Sequence, residues 1–68
     1  MRIALNGDPL ELAEGATVTD AVVAAAGDAE RRGIAVALDG EVVPRGRWAA
    51  TPLADGHRVE VLEARQGG

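Results

Sequence analysis

Ile3 and Leu5 alternate with Arg2 and Ala4, Asn6-Gly7 follows, and Leu10 and Leu12 then alternate with Glu11. A period of two on both sides of an Asn-Gly pair predicts a β-hairpin, because these residues accept the positive φ that a tight two-residue turn requires. Pro9 has no N–H to give to a ladder, so the second strand is expected at a sheet edge and the first strand inside it. After Glu14-Gly15 the period changes. Val18, Ala21, Val22 and Ala25 recur at helical spacing, Thr17 stands in the capping position, Asp20 falls in the first turn, and Gly27 lies just past the stripe. A short helix with one apolar face is predicted, and that face calls for a sheet beneath it.

Residues 28–33 are polar, carry Arg31-Arg32 and read as an exposed connector. Ile34, Val36 and Leu38 then alternate with Ala35 and Ala37, Asp39-Gly40 signals a second hairpin, and Glu41-Val42-Val43 begins the return strand that Pro44 ends. Gly46, Trp48 and Pro52 interrupt residues 45–53 without a period, which predicts a packed connecting loop with room for one helical turn. Asp55-Gly56 turns the chain into a last strand, where Val59 and Val61 alternate with Arg58 and Glu60. Two hairpins, a helix and a final strand fit an α+β fold of the β-grasp (ubiquitin-like) type. This is a mixed sheet with the first and last strands side by side at its centre, one main helix across one face, and a right-handed crossover. The domain is expected to span residues 1–64, followed by a flexible C-terminal Gly-Gly tail at residues 65–68.

Size narrows the function classes. A chain of 68 residues forms one domain that buries only ~60% of its unfolded surface. That leaves little room for the enclosed pocket of roughly 300–1,000 Å³ that small-molecule sites use, so a chain that presents something to other proteins is expected rather than a self-contained enzyme. With no cysteine and one histidine, His57, disulfides, a cysteine nucleophile and a metal site are excluded, and no bound cofactor is expected. Seven basic residues, all arginine, against eleven acidic ones give a net charge of -4, which opposes nucleic acid and anionic membrane. Residues 1–5 are too short for a signal peptide and no apolar run approaches membrane-spanning length, so a cytoplasmic protein is expected.

The candidate chemistry lies in Gly67-Gly68. A terminal carboxylate is ionised at neutral pH and inert toward nucleophiles until it is activated. If a partner enzyme using MgATP converts such a group to an acyl-adenylate, the carbonyl becomes electrophilic and attack by sulfur leaves a thiocarboxylate on Gly68. Glycines suit a narrow channel in the partner because they carry no side chain. An extended run from Ala64 to Gly68 reaches roughly 17 Å.

Other residues read more plainly. Trp48, the one aromatic, covers one end of an alanine-rich core, with an interface anchor as the alternative. Arg45 and Arg47 read as solvated loop arginines, with recognition of a carboxylate or phosphate as the alternative. His57 reads as exposed. Glu11, Glu14, Glu60 and Glu63 read as solvated faces, with Glu60 and Glu63 able to help a basic partner dock.

Several stretches carry a family likeness: Ile3-Ala4-Leu5-Asn6-Gly7, Gly15-Ala16-Thr17-Val18, Ile34-Ala35-Val36-Ala37-Leu38-Asp39-Gly40, Val43-Pro44-Arg45 with Trp48, Leu53-Ala54-Asp55-Gly56, and Gly67-Gly68. Together they make the chain resemble, over essentially its full length, the ThiS family of sulfur carriers in thiamine biosynthesis, ubiquitin-like β-grasp proteins. The resemblance implies that Gly68 is the adenylate and thiocarboxylate attachment point, and that Gly67, Gln66 and Arg65 thread into partner active sites. It also implies the partners: a ubiquitin-activating-like adenylyltransferase, a cysteine desulfurase or other persulfide donor, and thiazole synthase as sulfur acceptor. His57 departs from the acidic residue the family often has after Asp-Gly. Within the same chemistry the alternatives are the small subunit of molybdopterin synthase and a carrier for amino-acid biosynthesis. Outside it they are a ubiquitin-like protein modifier and a plain binding module that pairs through a sheet edge.

Overall fold

In the computed structural model, which describes residues 1–64, the two predicted hairpins close on left-handed turns. Asn6 and Gly7 have φ of 50° and 87°, and Asp39 and Gly40 have 48° and 88°. Paired positive φ values match the right-handed twist of the flanking strands, so each turn sets its register without a bulge. Strands β1 (Arg2–Leu5) and β2 (Asp8–Glu11) pair antiparallel with Leu5 opposite Asp8 and Ala4 opposite Pro9. The Ala4 N–H donates to the His57 carbonyl on its other side. Pro9 therefore occupies a position whose missing donor points off the sheet, and β2 is an edge strand as its proline requires.

Helix α1 (Val18–Ala26) begins where the Asp20 carboxylate accepts the Thr17 backbone N–H at 2.7 Å, and it ends where the Gly27 N–H bonds the Val23 carbonyl. Val18, Ala21 and Val22 are buried, but Ala25 is exposed, contrary to the four-residue stripe that the spacing predicts. Ala25 lies at the angular centre of that stripe at 100° per residue. Its exposure follows its place along the axis and not its phase, since every buried residue of α1 lies within its first five positions, Val18 to Val22.

Strand β3 (Ile34–Leu38) turns into β4 (Glu41–Val42), which is shorter than predicted. Val43 still donates to the Val36 carbonyl at 2.9 Å before Pro44 ends the pairing. Residues Arg45–Ala50 form a 3-10 helix rather than an irregular loop with a single turn. The following segment ties back to the helix entrance, with Val18 N–H donating to Thr51 and Leu53 N–H to Ala16. The last strand, β5 (Arg58–Glu63), lies parallel to β1 and antiparallel to β3, giving the order β2-β1-β5-β3-β4. First and last strands are neighbours at the centre, as the β-grasp requires. Ile3, Val36, Val59 and Val61 face Val18, Ala21 and Val22 across the core, and Trp48 and Leu53 complete it. No helix covers the opposite sheet face among the described residues, and none of their helices is long and apolar enough to cross a membrane.

Candidate functional site

Strand β5 sets the geometry of the site because it carries the chain to the rim of the sheet. Its odd positions Val59 and Val61 are buried, and Arg58, Glu60 and Leu62 point to the uncovered face. Pairing with β3 persists to the end: Ile34 stands opposite Glu63, and the Ala64 N–H donates to the Gly33 carbonyl at 2.7 Å. On the other side β1 turns away at Asn6, and the Asn6 amide takes over its role. Asn6 Oδ1 accepts the Val61 N–H at 2.8 Å and its Nδ2 donates to the Val61 carbonyl at 3.2 Å. The strand is thus held on both edges to within two residues of Glu63. Arg65, Gln66, Gly67 and Gly68, the predicted threading and attachment residues, lie outside the described residues.

Of the predicted partner-surface residues, only Glu60 is fully at the surface. Cross-strand pairing places Val42, Ala37 and Glu60 in one row and Ala35 beside Leu62 in the next. Val42 is 78% exposed and Leu62 69%. They rim a shallow depression of about 460 Å³ that opens on the uncovered face. Sequence reasoning passed over both residues, although their phase was readable: strict alternation from Val59 and Val61 puts a leucine at 62 on the polar side of the strand.

Contrary to the solvated face predicted for it, Glu63 is half-buried and pairs with Arg31, Oε2 to Nη2, at 2.8 Å. Charge recognition through Glu63 must therefore compete with this internal partner. Trp48 is 3% exposed, which corrects its assignment to a partner surface and upholds the core reading. Its ring N–H donates to the Val43 carbonyl at 2.9 Å, so the one polar atom of the indole is satisfied inside the chain.

Two further expectations change. Arg45 is not simply solvated: its guanidinium carbon lies 4.4 Å from the centre of the Trp48 ring, and its nitrogens donate to the carbonyls of Ala29 and Arg31. The Val43-Pro44-Arg45 and Trp48 pattern is thus one structural unit. His57 is half-buried rather than exposed, because its Nδ1 accepts the Ala54 N–H at 2.9 Å and closes the turn before β5. An acidic oxygen could accept the same bond, so histidine here preserves the turn. Arg47 remains exposed. Glu11 pairs with Arg2 at 2.9 Å, and the largely solvated Glu14 lies 3.4 Å from the Met1 amine. Among the described residues no cluster of histidine and carboxylate side chains could hold a metal ion.

The sequence model of the ThiS family matches residues 3–68, a span that takes in Arg65, Gln66, Gly67 and Gly68. The crystal structure of the thiamine biosynthesis protein ThiS from Geobacter metallireducens is 36% identical, with a TM-score of 0.76 over 100% of both chains. The solution structure of a thiamine biosynthesis protein from the same organism is 33% identical, with a TM-score of 0.76 over 100% of this chain and 88% of that one. No curated protein sequence matches the chain.

Proposed function

The chain belongs to the ThiS family, and from that premise we propose that it is a sulfur carrier of thiamine biosynthesis, working in the cytoplasm, whose reactive group is the carboxylate of Gly68. The observation that carries this reading is that the family match runs through Gly67 and Gly68. Its support in the fold is β5, which brings Ala64 to the sheet rim with its pairing complete.

The chemistry needs no catalytic group from this chain. A ubiquitin-activating-like adenylyltransferase joins the Gly68 carboxylate to the α-phosphate of MgATP, and pyrophosphate leaves. The acyl carbon is then electrophilic. The terminal sulfur of a persulfide, supplied by a cysteine desulfurase or another donor, attacks it and AMP departs. A thiol cleaves the resulting acyl disulfide, leaving a thiocarboxylate on Gly68 and a disulfide on the donor side. Thiazole synthase then receives the sulfur. The uncovered sheet face around Glu60, Leu62 and Val42 leads along β5 toward Ala64, so an enzyme that takes the tail meets this face as it docks.

The test is incubation with the adenylyltransferase, MgATP and a persulfide source, followed by proteolysis. Replacing oxygen with sulfur changes the mass almost as an oxidation does, so the fragment ending in Gly68 must carry the shift and also react with a thiol-selective alkylator. A shift confined to the fragments holding Met1 or Trp48 refutes the proposal.

A further inference from the structure

The connector between α1 and β3, residues 28–33, lies against the end of β5. Two of its residues grip the last two described positions. Arg31 pairs with the Glu63 carboxylate at 2.8 Å, and the Gly33 carbonyl accepts the Ala64 N–H at 2.7 Å. The connector is itself anchored. Arg31 Nη1 donates to the Ala26 carbonyl at the end of α1, and Asp28 Oδ1 accepts the Glu30 N–H at 2.8 Å. Arg45, stacked on the buried Trp48, bonds the carbonyls of Ala29 and Arg31 from behind. A chain of contacts therefore runs from the core through Trp48, Arg45 and Arg31 to Glu63. Gly33 has φ of +78°, and a Cβ there would stand 3.0 Å from the Ala64 carbonyl oxygen, so a side chain would both strain the backbone and push on that carbonyl.

An exposed connector needs none of this merely to link a helix to a strand. We infer that it is a collar, in which Arg31 and Gly33, backed by Arg45, fix the point and direction from which the chain leaves the domain after Ala64, and so position the acyl terminus for the activating enzyme. The inference rests on the carrier reading. Its physical content is entropic: a terminus that departs from a fixed point samples fewer orientations relative to the docked body, so less freedom is lost when it enters the partner's site. Arg31, Gly33 and Arg45 are positioning residues and touch no reacting atom.

Arg31→Ala separates this role from plain stabilisation. An ion pair at the domain surface, half-exposed at Arg31 and half-buried at Glu63, adds little to global stability, so the thermal midpoint is expected to fall by no more than about 5 °C. Local opening is different: amide exchange at Ala64, followed by NMR, should rise about tenfold or more as the strand end frays. With the adenylyltransferase, the KM for the carrier should rise about three- to fivefold while kcat stays unchanged. The charge-reversed pair Arg31→Glu with Glu63→Arg should restore both values in part, because it remakes the ion pair but not the bond from position 31 to the Ala26 carbonyl. Gly33→Ala, which displaces the Ala64 carbonyl without altering charge, should raise the KM in the same direction. Unchanged exchange at Ala64 in Arg31→Ala overturns the collar, and so does raised exchange with an unchanged KM. A native chain that the enzyme never adenylates overturns the carrier reading, and the positioning role with it, whatever the exchange data show.

Discussion

The side-chain amide of Asn6 pairs with both backbone groups of Val61, 55 residues away, accepting its N–H at 2.8 Å and donating to its carbonyl at 3.2 Å. One residue thus serves two ends. Its backbone, at φ 50°, makes the first hairpin turn, and its amide stands in for the strand that the turn takes away from β5.

Replacing Asn6 by glycine keeps the positive φ and removes only the amide. Two part-buried backbone groups then lose their partners, a cost of about 1–3 kcal/mol. Urea unfolding should show a lower midpoint with an unchanged slope, because the surface exposed on unfolding is the same. An unaltered midpoint would mean that water replaces the amide at no cost.

Trp48 is a core residue, so its truncation should act on folding. Trp48→Ala is expected to cost about 3–5 kcal/mol. A chain of this size holds only ~0.05–0.15 kcal/mol per residue in total, so much of the protein should lose cooperative unfolding by circular dichroism. Trp48→Phe should be milder, since it keeps an apolar ring and gives up the N–H bond to Val43. A cooperative, undisplaced melt for the alanine variant would restore the interface reading.

On the uncovered face, Leu62→Asp should leave the melting temperature within a few degrees, because Leu62 is 69% exposed and alternates with the buried Val59 and Val61. If the adenylyltransferase docks there, the KM for the carrier should rise about tenfold, the equivalent of ~1.4 kcal/mol of lost contact. Glu60→Arg should have a smaller effect that weakens further with salt. Activation kinetics identical to the native chain for both variants would place docking elsewhere.

Gly68→Ala should slow adenylation by about tenfold or more while the melt stays unchanged, because the added methyl crowds a channel shaped for glycine. Among the described residues the buried core lies between Ile3 and Val61, and the melt serves as the control that separates slowed adenylation from lost folding. Equal adenylation rates for the two forms would contradict a glycine-selective channel.

Local chemistry determined much of this protein before any tertiary contact is considered. Asn6-Gly7 and Asp39-Gly40 specify two turns through their tolerance of positive φ, Pro9 assigns β2 to an edge, and Thr17, Asp20 and Gly27 bound the helix. Alternation around Val59 and Val61 marks both the buried and the open face of β5. Each of these depends on neighbours a few residues away, which is why it can be read along the chain. What tertiary structure decided depends on residues brought together from afar. Ala25 has the right phase for burial but lies beyond the buried first five positions of α1. Glu63 meets Arg31, Arg45 meets Trp48 and the connector carbonyls, and Asn6 meets Val61. A side chain's partner depends on where the sheet order β2-β1-β5-β3-β4 and the length of each element place it, and periodicity specifies the face a residue points from, never what lies opposite.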